Sequence, residues 1–136
     1  MAVPKWQPAT RVAERMSGSL VVCERATLLT EAAESMVRRR VGAILVLEET
    51  RLVGILTERD VLRAVATGYP ADARAEQWMT SNPETVGPSE QLELAAVLMH
   101  HGGFRHLPVE EDGRLVGVLS LRDLLDSSGD SLPRGV

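Results

Sequence analysis

A hydroxyl side chain followed three residues later by a carboxylate occurs twice in the chain, each time directly after an apolar stretch. The first copy ends in Thr57 and Asp60, and the second ends in Ser120 and Asp123. If each motif opens a helix, the backbone amides at that helix end favour an anionic group such as phosphate. The carboxylate can accept hydrogen bonds from the two hydroxyls of a ribose. Two copies that face one cleft would therefore form two nucleotide-sized sites related by a pseudo-twofold axis.

Helix capping is the alternative interpretation of the same motif. A Ser or Thr at the N-cap with an acid three residues later has the spacing of a capping box, although that box prefers Glu or Gln at the acid position. For either copy alone, this structural interpretation is the better one. The repetition of the motif in register makes the functional interpretation considerably more specific.

The motif recurs because the chain is duplicated along its length. A shift of 63 residues places Met16 on Met79 and aligns residues 51–54 with residues 114–117. Each half has about 60 residues, which is too few to bury a sufficient core alone. We therefore expect the halves to fold as a pair, with the functional site in the cleft between them.

The apolar patterning predicts the order β-α-β-β-α in each half. Apolar residues at i, i+3, i+4 and i+7 mark one helix face per half, formed by Leu29, Ala32, Ala33 and Met36 and by Leu92, Ala95, Ala96 and Met99. Thr27 and Ser89 are the predicted N-caps of these helices. Two predicted hairpins follow, with strands at 43–47 and 52–56 and at 107–109 and 115–119. The predicted organisation is an arm at 1–9, repeats at 10–66 and 73–126, a linker at 67–72 and a flexible tail at 127–136.

Composition and charge narrow the classes of function. The net charge of −4 argues against a nucleic-acid surface. The single cysteine, Cys23, excludes an internal disulfide. No signal peptide and no apolar run of transmembrane length is present, so we expect a cytoplasmic protein that does not insert into membranes.

No catalytic or metal-binding constellation stands out in the sequence. His100 and His101 are adjacent, so on a helix they point in different directions, and with His106 they lack a Cys or acid that would complete a metal site. No Ser-His-Asp or Cys-His arrangement is present. We therefore expect neither a metal nor an enzyme.

These motifs resemble a tandem pair of cystathionine β-synthase (CBS) domains, the regulatory unit also called a Bateman module. The residues that carry the resemblance include Met16-Ser17 and Met79-Thr80 at the start of each repeat and the helix faces given above. The run Phe104–Val109 is typical of the central strand of the family, and the two motifs read Gly-hydrophobic-Leu-Thr/Ser-x-x-Asp. The resemblance extends from about residue 10 to residue 126.

The resemblance implies an α+β fold of two tandem β-α-β-β-α CBS repeats, packed through their sheets around a pseudo-twofold axis. It implies a sensor that binds an adenosine-containing regulatory ligand (AMP, ADP, ATP, S-adenosylmethionine or NAD) between the repeats, with no required cofactor. Such a module would signal in trans to an unidentified protein partner. It would form a homodimer through its helices, for which the two helix faces are candidates, although these faces also fit a core. The alternative is a structural dimerisation module whose clefts bind nothing.

The resemblance also implies which residues contact the ligand. Thr57 and Asp60 would act with Arg105 and His106, whereas Ser120 and Asp123 would act with Val41 and Gly42. Ser17 and Thr80, at the start of the two repeats, complete the predicted set.

The two predicted sites are unequal. Arg105 can contact a phosphate through two hydrogen bonds, and its counterpart under the 63-residue shift is Gly42. The Thr57/Asp60 site is therefore predicted to prefer phosphorylated ligands, and the other site to be weaker or to take a less charged one. A surface salt bridge is the alternative role for Arg105.

Overall fold

The chain forms two compact units. The structure is a computed structural model that describes residues 10–125, so the predicted arm and the predicted tail beyond residue 126 lie outside the described residues. The central unit contains residues 20–83, and the terminal unit contains residues 10–19 together with 84–125.

The central unit is built around a four-stranded sheet. Its strands have the order β1-β2-β3-β4, with β1 parallel to β2 and the remaining pairs antiparallel. The elements are β1 (Val22–Glu24), α1 (Leu29–Arg39), β2 (Ala43–Glu48), β3 (Arg51–Thr57), α2 (Glu58–Thr67), α3 (Ala75–Trp78) and β4 (Thr80–Ser81).

The terminal unit repeats the hairpin and its two helices. After a short 3-10 helix (Val12–Glu14) come α4 (Leu92–Gly102), β5 (His106–Glu111), β6 (Arg114–Ser120) and α5 (Leu121–Leu125). The first strand predicted for the second repeat is reduced to one parallel bridge between Val86 and Val109. Pro83 and Pro88 flank that bridge, and proline lacks the N–H that a longer ladder requires.

The two hairpins share fine backbone detail as well as sequence. The strand register shifts between Val46 and Leu47 in one hairpin and at the equivalent place, between Val109 and Glu110, in the other. The turns agree in the same way, since residues 49 and 112 both adopt positive φ angles. The predicted α+β fold of two β-α-β-β-α repeats is confirmed.

The segment that opens each sequence repeat packs on the hairpin of the other repeat. Ser17 exchanges two backbone hydrogen bonds with Val118 of β6, at 2.9 and 3.0 Å. Thr80 is the equivalent residue, and it pairs with Ile55 of β3 through β4. The compact units therefore exchange their opening segments relative to the sequence repeats.

This exchange explains why the predicted cap of α1 is wrong. The N-cap of α1 is Leu28, and it has no side-chain cap. The hydroxyl of Thr27 instead accepts a hydrogen bond from the backbone N–H of Glu24 at 3.0 Å. The N–H of Leu29 donates to the carbonyl of Ala73 at 2.8 Å, so a backbone group from the next segment satisfies this helix end.

The predicted cap of α4 is wrong for the same reason. The N-cap is Gln91, two residues after Ser89, and it also lacks a side-chain cap. The N–H of Leu92 donates to the carbonyl of Thr10 at 2.9 Å. A backbone carbonyl from a distant part of the chain again takes the place of the predicted side chain.

The apolar helix faces form the cores of the two units. The residues at i, i+3 and i+7 of both faces are at most 5 % exposed, namely Leu29, Ala32 and Met36 and Leu92, Ala95 and Met99. Only Ala33 and Ala96 are partly exposed. The hypothesis that these faces mediate dimerisation is therefore wrong, because their larger side chains are already covered. None of the helices in residues 10–125 is long and apolar enough to cross a bilayer.

Candidate functional site

Thr57 and Asp60 form a closed hydrogen-bonded box where β3 passes into α2. The backbone N–H of Thr57 donates to Oδ2 of Asp60 at 2.8 Å, and the Thr57 hydroxyl donates to the same oxygen at 3.0 Å. The N–H of Asp60 donates in return to Oγ1 of Thr57 at 3.3 Å. Asp60 is only 7 % exposed, and a buried carboxylate needs such partners. The capping geometry predicted for this copy is thus present.

Ser120 and Asp123 repeat this box where β6 passes into α5. The N–H and the hydroxyl of Ser120 donate to Oδ2 of Asp123 at 2.7 and 3.0 Å. The N–H of Asp123 donates to Oγ of Ser120 at 3.3 Å. With Asp123 4 % exposed, the two motifs have nearly identical geometry and burial.

The second oxygen of Asp60 has a partner that sequence reasoning missed. Nη2 of Arg63 donates to Oδ1 of Asp60 at 3.0 Å. Residues three apart on a helix lie on the same face, so this spacing could have revealed the pair in the sequence.

Val41, Gly42 and Thr80 lie in the same unit as the Thr57/Asp60 box, on segments next to β3 or the start of α2. The N–H of Glu58, the first residue of α2, donates to the carbonyl of Gly42 at 3.0 Å. Val41 precedes Gly42, and its own N–H donates to the carbonyl of Met36 at 3.0 Å. Thr80 pairs with Ile55, two residues before Thr57 on β3.

Arg105, His106 and Ser17 occupy the equivalent positions in the terminal unit. The N–H of Leu121 donates to the carbonyl of Arg105 at 2.8 Å. His106 is the cross-strand partner of Ser120, and Ser17 pairs with Val118 on the same strand.

The ten predicted site residues therefore form two groups of five. The central group contains Val41, Gly42, Thr57, Asp60 and Thr80, and the terminal group contains Ser17, Arg105, His106, Ser120 and Asp123. The predicted action of Arg105 and His106 at Thr57/Asp60, and of Val41 and Gly42 at Ser120/Asp123, stays a prediction.

Arg105 forms no surface salt bridge within the part of the chain that the structure describes. Its side chain is exposed, and its guanidinium forms no ion pair with any residue in the range 10–125. Arg105 is therefore a cation on the terminal group whose charge is not neutralised by a described carboxylate.

Two glycines, which have no side chain, allow the opening segments to lie close to the hairpins. A Cβ at Gly54 would come closer than 3.0 Å to the side chain of Met79, and one at Gly117 would come closer than 3.0 Å to the side chain of Met16. Met79 and Met16 precede Thr80 and Ser17, so the close approach at each glycine positions one of the predicted site residues. Sequence reasoning aligned these glycines but did not give them this role.

The remaining candidates for chemistry are weak. Burial raises the pKa of the Cys23 thiol to about 11, which keeps it protonated at neutral pH. Between residues 10 and 125 no three His, Cys, Asp or Glu side chains gather in a metal-binding arrangement. A groove of about 690 Å³ in the terminal unit is lined by Arg11, Glu14 and Ser89 among others, and by none of the ten predicted site residues.

Comparisons with known proteins agree with the duplicated motif. The family model of the CBS domain matches residues 11–67 and 75–130. An uncharacterised 17.7 kDa protein of Acidianus ambivalens is 34% identical over 118 residues, which cover 85% of this chain and 71% of that protein.

Two solved structures are similar to this chain and contain adenosine compounds. A CBS domain protein from Pyrobaculum aerophilum, complexed with AMP, is 32% identical with a TM-score of 0.82, covering 88% of this chain and 93% of the other. The CBS domain pair of protein MJ0100, in complex with 5′-methylthioadenosine and S-adenosyl-L-methionine, is 25% identical with a TM-score of 0.79, covering 85% and 93%. With two matches to the family model, two copies of its motif and these neighbours, the chain belongs to the CBS-domain family.

Proposed function

We propose that this protein is a regulatory sensor that binds adenosine-containing ligands and signals in trans to a protein partner. The proposal rests on one observation, a buried carboxylate held in the same hydrogen-bonded box in each unit. This carboxylate is Asp60 in the central unit and Asp123 in the terminal unit. The AMP and S-adenosylmethionine in the similar structures support the choice of ligand. The ligands are regulatory, and the proposal includes no required cofactor and no catalytic step.

The carboxylates are the proposed contacts for the ribose. An ionised carboxylate has about four acceptor positions. In Asp60, Oδ2 accepts two hydrogen bonds from Thr57 and Oδ1 accepts one from Arg63. Oδ1 therefore retains acceptor capacity for a ribose hydroxyl, while the box keeps the carboxylate in place.

The remaining site residues are assigned by proposal to two unequal ligand sites. Arg105 and His106 serve the Thr57/Asp60 site, where the guanidinium of Arg105 recognises phosphate. Val41 and Gly42 serve the Ser120/Asp123 site, where Gly42 stands at the position equivalent to Arg105. Ser17, which forms an isolated bridge with β6, and Thr80, which lies on β4, line the sites. The Thr57/Asp60 site is thus the stronger one for phosphorylated ligands.

Signalling requires the ligand to prefer one arrangement of the module. A ligand with equal affinity for two arrangements shifts neither population. In the proposed mechanism, ligand contacts stabilise one arrangement of the two repeats. This arrangement changes the affinity of the module for its partner protein.

A thermal-shift screen tests the proposal. AMP, ADP, ATP, S-adenosylmethionine and NAD are compared with GTP. A ligand present at 100 times its dissociation constant adds about 2.7 kcal/mol to the free energy of unfolding, which for a chain of this size raises the melting midpoint by roughly 5–15 °C. We expect a rise with at least one adenosine compound and none with GTP.

Asp60→Asn is the variant that connects such a rise to the site. Its amide oxygen can still accept the hydrogen bond from Thr57, but the second carboxylate oxygen becomes a donor nitrogen. Glu58→Gln is the matched control, because it removes one negative charge from the exposed first turn of the same helix. A rise with AMP, ADP or ATP should be lost in Asp60→Asn and kept in Glu58→Gln. Loss in both variants would contradict a specific role for Asp60.

The structural alternative has its own supporting observation. Both boxes cap a helix in the geometry described above, so they have a role without any ligand. A purely structural module predicts a flat response to all the compounds and a dimer that does not depend on ligand.

We also propose a homodimer, formed by exposed helix faces other than those first predicted. Val37 of α1 and Leu62 and Val65 of α2 are 79%, 68% and 57% exposed in the central unit. The terminal unit has a corresponding set on α4 and α5, which consists of Leu94, Val97, Leu121 and Leu125. Exposed apolar side chains concentrated on helices of both units are typical of an interaction surface.

A further inference from the structure

Arg63 competes with the ligand for Asp60. Its guanidinium donates to Oδ1 and fills one of the two acceptor positions of that oxygen, so the two hydroxyls of a ribose can both bind there only if Arg63 is displaced. The side chain of Asp60 is 10% exposed whereas that of Arg63 is 63% exposed. The carboxylate is therefore fixed within the fold, and its arginine partner lies largely in solvent.

This unequal burial makes the ion pair easy to open from one side. An ion pair with a largely exposed partner contributes little net stability, because solvent screens the charges and the long side chain loses freedom. Moving Arg63 off Oδ1 breaks none of the hydrogen bonds between Thr57 and Asp60. A ribose hydroxyl can thus replace the guanidinium without disturbing the start of α2.

The displaced guanidinium remains next to the bound ligand. Arg63 lies one helical turn from Asp60, so its charge stays near the ribose contact. An uncharged nucleoside gives the guanidinium no new partner, whereas a phosphorylated one offers oxygens that it can bind through charge-assisted hydrogen bonds.

We propose that Arg63 is a specificity-determining residue that favours phosphorylated adenosine ligands over uncharged ones. The inference rests on the proposed function of the Asp60 site. The other motif has no arginine at this position, since the residue equivalent to Arg63 under the 63-residue shift is Asp126. Arg63 thereby selects for the same class of ligand as the proposed phosphate contact of Arg105.

Calorimetric titration with adenosine and with AMP tests this role in wild type and Arg63→Met. Methionine keeps an unbranched side chain and removes the charge. We expect adenosine to bind about two- to fivefold more tightly to Arg63→Met, because the competitor is gone. We expect AMP to bind about fivefold more weakly, because a charged hydrogen bond to phosphate is lost. The preference for AMP over adenosine should fall by about tenfold or more.

Arg59→Met is the matched control. Arg59 lies on the exposed surface of the same helix, so its removal changes the net charge by the same amount without opening the pair with Asp60. It should alter the preference for AMP by less than about twofold. Melting midpoints of both variants show whether each remains folded.

The outcomes separate this inference from the proposed function. If wild type binds AMP and Asp60→Asn does not, the proposed function stands, and an unchanged preference in Arg63→Met overturns the inference alone. Equal changes for adenosine and AMP also overturn it, since they would assign Arg63 only to positioning Asp60. If wild type binds neither compound, the inference fails, whereas the proposed function fails only if the other adenosine compounds of the thermal-shift screen also give no rise.

Discussion

Replacing Gly54 by alanine should destabilise the fold because the opening segment of the second repeat lies against this residue. Gly54 is buried in β3, and a Cβ there would come closer than 3.0 Å to Sδ and Cγ of Met79. It would also lie 3.0 Å from the carbonyl oxygen of Thr80, which the pairing of β3 with β4 holds in place. The methionine side chain can move, but the carbonyl can move only with its strand.

Overpacking of this kind costs about 1–3 kcal/mol. For a chain of this size, that lowers the melting midpoint by roughly 3–12 °C. Thermal and urea denaturation measure the loss. Gly18→Ala is the control, because an added Cβ at Gly18 meets nothing within 4 Å. Its stability should stay within about 0.5 kcal/mol of wild type.

A double variant shows whether Met79 causes the loss. In a Met79→Ala background, Gly54→Ala should cost less than in wild type, with a coupling energy of about 0.5–3 kcal/mol. Gly117→Ala should behave like Gly54→Ala, since its Cβ would lie 2.6 Å from Sδ of Met16. A Gly54→Ala variant as stable as Gly18→Ala would refute the close approach, and with it the position given to Thr80.

Three further predictions follow from burial, exposure and charge. Burial raises the pKa of Cys23 from about 9 to about 11, so the neutral thiol stabilises the fold below pH 9 and this contribution is lost as the pH rises through 11. Urea titrations of Cys23→Ala should show a smaller loss of stability between pH 9 and pH 11 than those of wild type. Equal losses would contradict the raised pKa. Leu62→Lys should shift the protein from dimer to monomer in light scattering, and an unchanged dimer would exclude this surface. Arg105→Ala should weaken AMP binding by about tenfold in calorimetry, whereas Asp123→Asn should weaken it less, and equal losses would contradict the proposed inequality of the sites.

Much of the architecture was predictable because it depends on local patterns. Apolar spacing identified the helix faces whose buried residues include Leu29 and Met36. Continuous apolar runs identified the hairpins, and the motif spacing identified the box formed by Thr57 and Asp60. Each of these features depends on residues that are close in sequence.

The exchange of opening segments was not predictable from such patterns. In a duplicated chain, Met16 and Met79 have equivalent local surroundings, so the sequence does not indicate on which hairpin each segment packs. The predicted caps failed for a related reason, because the partners of Leu29 and Leu92 are backbone carbonyls brought in by tertiary packing. Backbone groups of this kind leave no residue-type signal.

The two hydrogen-bonded boxes were predictable in their residues but not in all their contacts, and the ligand contacts of the ten residues stay a prediction. Spacing and duplication identified both carboxylates, and the resemblance supplied Arg105 and His106. The role of Arg63 depends on the difference in burial between the two members of an ion pair, which sequence does not contain.

Ribose recognition by the buried carboxylates is tested by a calorimetric titration with AMP and with its 2′,3′-dideoxy analogue. We expect AMP to bind and the analogue to bind at least about tenfold more weakly, because hydrogen bonds from the ribose hydroxyls to a buried carboxylate are lost. Equal affinity for the two compounds would contradict recognition of the ribose by Asp60 or Asp123. No binding of AMP or of any other adenosine compound would contradict the sensor itself and favour the structural module.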